Sequence, residues 1–236
     1  MQLQFAPVTG ERVVAAGRDA EMVDLGGGRL LRRPRVPRPL DGEAAVMRIA
    51  RAAGYPAPEV VEVRPDGMVV ERVDGPTMLD DLAARPWRVL RHARTLADLH
   101  RRLHAIPADD ALAARLGPPG PGDVLVHGDL HPANVLLSPK GPVVIDWSNA
   151  GRGPAGADVA DAWLLLAAAQ PPGGRLLNLL VAALRARFLA EFLRRAGREE
   201  AARQLEAAYR LRTADPNISA AEKAAMRRVV AQHGIP

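Results

Sequence analysis

Two polar clusters, each set among aliphatic residues, constrain this chain more than any other feature. His127-Gly128-Asp129-Leu130-His131-Pro132-Ala133-Asn134 lies between Val124-Leu125-Val126 and Val135-Leu136-Leu137, and Asp146 follows Val143-Val144-Ile145 twelve residues after Asn134. Short β-branched and aliphatic runs read as buried strands, so the polar residues fall in loops at strand ends. Taken singly, an aspartate or asparagine in such a loop often only bends the backbone through side-chain hydrogen bonds. Three of them at these separations point to chemistry instead. His127 and His131 suggest a zinc pair, but Pro132 argues against a helix that presents both on one face, and a structural role for both histidines is the better reading.

The spacing His127-x-Asp129-x-x-x-x-Asn134 matches the protein-kinase catalytic loop, where an aspartate takes the acceptor hydroxyl proton and an asparagine binds magnesium. Asp146 then supplies the second metal ligand. Phosphoryl transfer asks for little covalent chemistry from a protein, so a base, two oxygen ligands for a hard cation and a basic phosphate contact nearly complete the machinery. Together, HGDLHPANVLL and VVIDWSNAG resemble the aminoglycoside phosphotransferase family of small-molecule kinases. Gly128 in place of arginine, and Asp146-Trp147-Ser148 in place of Asp-Phe-Gly, separate the chain from true protein kinases. The resemblance implies a bilobal α+β protein-kinase-like fold. Residues 1–74 would form an N-terminal nucleotide-binding lobe with a small antiparallel sheet and a helix. Residues 75–236 would form a larger, mainly helical catalytic and substrate-binding lobe. It further implies ATP or GTP as co-substrate, Mg2+ as cofactor and a small hydroxylated molecule as acceptor, with His127 bracing the loop.

A chain of 236 residues has ample length for such a core. It contains no cysteine, which excludes disulfides and thiolate metal sites, and MQLQFAPVTGERV lacks the apolar stretch of a signal peptide. A cytoplasmic location without membrane association is therefore expected. The net charge of +5 and the cluster Arg29, Arg32, Arg33, Arg35 and Arg38 raise the question of nucleic acid. With 3% aromatic residues and none interleaved among those arginines, no stacking platform exists, and no nucleic-acid partner is expected.

Strand-like runs near Arg12–Val14, Glu21–Leu25 and Arg29–Arg33, separated at Gly17 and Gly26-Gly27-Gly28, predict the first strands of a sheet. The triple glycine reads as a hairpin turn, since it lacks both G-x-G-x-x-G and a following Gly-Lys-Ser/Thr. By resemblance, the loop over the phosphates would be Ala16-Gly17-Arg18-Asp19-Ala20, which departs from a glycine-rich pattern. A helix starts at Asp41-Gly42-Glu43 and ends before Gly54 and Pro56. Arg32 and Glu43 then occupy the places of the kinase strand cation and its helix glutamate, with Arg33 a rival for the first. A guanidinium can contact two phosphate oxygens at once, with changed geometry from lysine. Val60–Val63 and Met68–Glu71 predict two more strands around Pro65-Asp66-Gly67, and the resemblance makes Glu71, Arg72 and Val73 the hinge that meets the nucleotide base.

Trp87–Ile106 predicts a long amphipathic helix beneath the catalytic loop, with His100 and His104 read as core or surface histidines rather than ligands. Asp158 is expected to act as a helix N-cap or a brace for the catalytic loop. Further helices are expected over 174–195, 198–211 and 219–233, the last marked by the capping box Ser219-x-x-Glu222. From residue 171 onward, twelve Lys and Arg stand against six Asp and Glu, which opposes an acidic pocket for a cationic sugar. Glu191, Glu206 and Asp215 are the carboxylates that could still build one, and Asp215-Pro216-Asn217 the candidate substrate loop. A small hydroxylated metabolite is favoured over an aminoglycoside. The alternative is a noncatalytic nucleotide-binding pseudokinase or interaction module on the same fold, and a protein-kinase reading is disfavoured because no Ala-Pro-Glu segment follows Asp146.

Overall fold

The computed structural model describes residues 12–16, 20–108, 110–117, 120, 123–168, 175–215 and 218–234. Gly17–Asp19 and Pro216–Asn217, parts of the expected phosphate and substrate loops, lie outside the described residues.

The chain opens with three strands, β1 (Arg12–Ala16), β2 (Ala20–Gly26) and β3 (Arg29–Pro34), then helix α1 (Asp41–Ala52) and strands β4 (Val60–Arg64) and β5 (Gly67–Glu71). They form one antiparallel sheet in the order β1-β2-β3-β5-β4. The triple glycine makes the β2–β3 turn, and all three glycines have positive φ (73°, 58° and 73°), the region that a side chain disfavours. Register decides the fate of each side chain, because successive residues point to opposite faces. Leu31 pairs with Val23 and Val69, and these three form a small buried cluster of their own. Arg32, the next residue along β3, pairs with Met22 and Met68 and faces the opposite side, toward Glu43 of α1.

After β5 come α2 (Met78–Ala84), a 3₁₀ turn at Pro86–Arg88 and α3 (Val89–His104). The sequence reading missed α2, whose start is marked by a capping box between Thr77 and Asp80. It also ran α3 through the 3₁₀ turn, where Pro86 supplies the break. Short strands β6 (Val124–Val126), β7 (Val135–Ser138), β8 (Gly141–Val144) and β9 (Gly151–Gly153) follow, paired β6 with β9 and β7 with β8. Helices α4 (Ala155–Ala168), α5 (Arg175–Ala196), α6 (Arg198–Thr213) and α7 (Ala220–His233) complete the chain, and the Ser219–Glu222 capping box stands at the start of α7 as read. No described helix is long and apolar enough to cross a membrane. This is the small antiparallel sheet followed by a helical part that the resemblance implied.

One apolar core runs from α1 through α3 and the short hairpins to α7, with Trp147, Trp163 and Phe192 among its largest fully buried side chains. His100 belongs to it. Its Nδ1 meets the Leu96 carbonyl at 3.0 Å, its ring lies edge-on to Phe192 at 5.1 Å, and its buried Nε2 has no hydrogen-bond partner. Burial pushes the His100 imidazole down from 6.5 to about 4. Between those values an unfolded chain takes up a proton at His100 that the folded chain refuses, so stability is present above pH 6.5 and lost as pH falls toward 4. The loss should reach about 3 kcal/mol. Urea midpoints of wild type and His100→Leu across this window should show a flatter pH dependence in the variant. Parallel curves would place the acid sensitivity elsewhere.

Candidate active site

The catalytic-loop segment leaves β6 at Val126 and enters a turn that Gly128 makes possible. Gly128 has φ +70°, and a Cβ there would sit 2.8 Å from the Asn149 carbonyl oxygen. Glycine therefore stands where protein kinases carry arginine for a local steric reason. Asp158, in the first turn of α4, reaches across to this turn. Its Oδ2 accepts from the His127 amide at 3.1 Å, its Oδ1 accepts from the Gly128 amide at 2.8 Å, and His104 Nε2 donates to Oδ2 at 2.9 Å. Burial alone would raise the Asp158 carboxyl, but His104, His100 and the Gly128 amide hold it well below the usual carboxylate range. Of the two roles read for Asp158, the brace is the one it fills. His127 is fully buried, donates from Nε2 to the Ile145 carbonyl at 3.1 Å and packs its ring 5.0 Å from Trp147. It thus links the loop to the residues beside Asp146.

Asp129 projects from the loop into a polar nest. Asn134 Nδ2 donates to its Oδ2 at 3.0 Å and to its backbone carbonyl at 2.9 Å, and His131 Nε2 lies 3.6 Å from Oδ2. Arg212 of α6 places Nη1 3.2 Å from Oδ1. Burial would raise the Asp129 carboxyl, but His131 and Arg212 outweigh it and lower it below its ordinary value. His131 also caps the short 3₁₀ turn at Pro132–Asn134, its Nδ1 accepting from the Ala133 amide.

Asp146 and Asn134 both line a cleft of about 420 Å³ between the sheet and the β7–β8 hairpin. The Ile145 amide donates to the Asn134 carbonyl at 3.0 Å, which joins the two segments. Asn134 spends its amide nitrogen on Asp129 and lines the cleft beside Asp146. Asp146 adopts φ 60°, an unusual conformation for a residue other than glycine, and its side chain is 42% exposed. Trp147 anchors it, fully buried, donating from Nε1 to Val144 and meeting the Tyr55 ring edge-on at 5.7 Å. A carboxylate and a carboxamide oxygen at a cleft wall are the donor types that a hard divalent cation takes, so this pair fits magnesium.

On the opposite wall Arg32 donates to Glu43 at 3.3 Å and to Asp146 Oδ1 at 3.4 Å. Arg33 instead faces Asp66 at 3.8 Å, so register puts Arg32 on the cleft wall and Arg33 on the other face. Arg38, which sequence reasoning passed over, is a second cation on Glu43 at 2.9 Å. At the hinge, Glu71 and Val73 line the cleft. Arg72 is not among its lining residues, and its side chain pairs with Asp24 and Asp74. The hinge amides are also partly spent: Glu71 donates to Glu59 and Arg72 to Gly28.

Two further site residues escaped the sequence reading, Arg212 and its partner Asp161 on α4. A signal existed for the first. Ala201, Leu205 and Ala208 mark the buried face of α6, and Arg212 continues that spacing as a charge on an apolar stripe. Two of the three carboxylates considered for a cationic substrate are paired with arginines. Glu191 pairs with Arg94, Arg194 and Arg195, and Glu206 with Arg210 and Arg227.

The sequence model of the Phosphotransferase enzyme family matches residues 109–212, the segment that carries Asp129, Asn134, Asp146 and Arg212. Among solved structures, aminoglycoside phosphotransferase APH(4)-Ia is 19% identical with a TM-score of 0.63, covering 97% of this chain and 95% of its own. A choline/ethanolamine kinase family protein from Mesorhizobium loti is 16% identical with a TM-score of 0.55, covering 94% of this chain and 86% of its own. The streptomycin–ATP complex of APH(2")-IIa is 14% identical with a TM-score of 0.57, over 84% of this chain and 82% of its own. No curated protein sequence matches the chain. The family resemblance carried by the two motifs and the kinase-like fold it implied are both borne out.

Replacing Asp158 by alanine strips two buried amides and one histidine of their acceptor. The variant should lose about 3–5 kcal/mol in urea unfolding, the cost of breaking a buried charged network. Asp158→Asn, which keeps one acceptor oxygen, should lose less. A loss for Asp158→Ala below about 1 kcal/mol would mean that water replaces the carboxylate and that the brace carries little.

Proposed function

We propose that this chain is a small-molecule kinase that transfers the γ-phosphate of ATP or GTP to a hydroxyl of its acceptor. The observation that carries the reading is the convergence of Asn134, Asp146, Arg32 and Glu43 on one cleft, with Asp129 hydrogen-bonded to Asn134 at its inner end. Structures of the same fold hold AMP-PNP or ADP together with hygromycin B, which supports a nucleoside triphosphate as the donor here. The N-terminal 74 residues would form the nucleotide lobe and the remainder the catalytic and acceptor lobe.

In this reading the base lies between Met22 and Val70 on one side and Leu136 and Ile145 on the other, with Val73 supplying the hinge amide. Asn134 and Asp146 would hold magnesium, which would offset the negative charge of the phosphates. Arg32, oriented by Glu43, contacts the α and β phosphates through a planar guanidinium. Asp129 accepts the hydrogen bond of the acceptor hydroxyl and takes its proton. A bond forms between that oxygen and the γ-phosphorus as the bond to the β–γ bridging oxygen breaks, releasing the nucleoside diphosphate. A carboxylate of lowered pKa is a weak base, which suits a loose transition state in which orienting the hydroxyl matters more than removing its proton early.

The acceptor is a neutral or anionic hydroxylated metabolite. Arg212 stands beside Asp129, where an aminoglycoside would bring its amines, and Glu191 and Glu206 are already engaged by arginines.

Thermal melts of wild type and Asp146→Ala with ATP or GTP, with and without magnesium, test the nucleotide site. A specific ligand at about 100 times its Kd should stabilise wild type by about 2.7 kcal/mol, and the magnesium-dependent part should vanish in the variant. No shift with either nucleotide would sink the proposal. With an acceptor found by screening polyols and sugars, Asp129→Asn should lower kcat by about 10²–10⁴ while nucleotide binding survives. Binding without turnover on any acceptor is the result that a noncatalytic module demands. Efficient phosphorylation of kanamycin-like compounds would overturn the assignment of acceptor class.

A further inference from the structure

We propose that Arg212 is a positioning residue for Asp129, holding the carboxylate in the orientation that receives the acceptor hydroxyl. The inference rests on the phosphotransferase reading for its functional meaning, and on the geometry of the cluster for its substance.

The guanidinium of Arg212 uses two edges. One edge, Nε and Nη2, engages Asp161, with Nε 2.8 Å from Oδ1 and Nη2 bonded to Oδ2. The other edge, Nη1 and Nη2, faces the catalytic loop, with Nη1 3.2 Å from Asp129 Oδ1 and Nη2 3.0 Å from the Gly128 carbonyl oxygen. Asp129 is therefore held at both oxygens, Oδ1 by Arg212 and Oδ2 by Asn134. Two fixed contacts define the plane of a carboxylate, and a fixed plane is what orienting a hydroxyl requires.

A purely structural role would have Arg212 neutralise Asp161 and fasten α6 to α4. That task needs only the first edge. The second edge goes to consecutive residues of the catalytic loop, one backbone carbonyl and one side chain, which a fastening device has no reason to select. Asp161, with a side chain only 3% exposed, serves as the anchor that fixes the fork. A lysine in this place brings the charge but a single nitrogen, so it cannot bridge the two carboxylates and the carbonyl at once.

The test uses the full chain. Arg212→Gln alone would strand a buried carboxylate and risks unfolding, so it is paired with Asp161→Asn, which restores a neutral hydrogen-bonded contact. A crystal structure of this double variant should show the Asp129 carboxylate turned out of the plane it keeps in wild type, and with an acceptor found by screening, kcat should fall by roughly 10- to 100-fold while the nucleotide KM stays put. Arg212→Lys, which keeps the charge and loses the fork, should recover little of that rate. An Asp129 carboxylate unmoved in the double variant, or a kcat unchanged with only the melting temperature reduced, would overturn the proposal and leave Arg212 a fastener. The crystal structure needs no acceptor. A turned carboxylate in a protein whose wild type transfers no phosphate would count against the phosphotransferase reading and leave the orienting contact of Arg212 on Asp129 standing.

Discussion

One buried carboxylate organises the centre of this molecule. Asp158 accepts hydrogen bonds from two consecutive catalytic-loop amides and from His104, and so ties α4, α3 and the loop after β6 at a single point. A charge with no exposure persists in a protein interior only when its lone pairs are filled by well-placed donors, and here three donors fill them. Because two donors are backbone amides, the carboxylate fixes the path of the chain itself. Asp129 follows directly from that path, with Gly128 supplying the left-handed turn that aims it.

The cleft depends on a second constraint, the register of β3. Alternation along the strand sends Leu31 into the small cluster with Val23 and Val69, and Arg32 toward Glu43 and Asp146. A slip of one residue would bring Arg33 to the cleft and put Arg32 on the far face. The hairpin turn at Gly26-Gly27-Gly28 and the pairing of β3 with β5 hold the register that makes Arg32 the inward cation. Arg32, Glu43 and Arg38 form a network of two cations on one buried carboxylate, from which Arg32 also reaches across to Asp146.

Much of this was legible in the residues. Glycine and proline punctuation marked the strands and the ends of α1, and the apolar spacing of Leu96, Leu99 and Leu103 marked α3. The capping box at Ser219 located α7. An equivalent signal stands at Thr77, directly after the turn-forming residues Asp74-Gly75-Pro76, which obscure it. For the site, Asp129, Asn134 and Asp146 stood out through separations in one short segment, and the structure brings them within one connected hydrogen-bonded unit. Arg72 and Arg38 were less readable. Whether a surface arginine points to a cleft or to a neighbouring aspartate depends on rotamers and partners, which spacing does not encode.

The sequence by itself determined the local chemistry: a carboxylate, a carboxamide and a second carboxylate at the ends of short buried strands, with a glycine where the turn admits no side chain. Such features are local, because strand alternation, turn conformation and capping act over a few residues. Only the tertiary structure decided which distant charges complete them. Arg212 lies 84 positions from Gly128 and His104 lies 54 from Asp158, yet each reaches its partner because helices packed through their apolar faces carry these side chains into the same buried space. Side-chain contacts between helices follow from how the core closes, and that closure is a property of the whole packed chain.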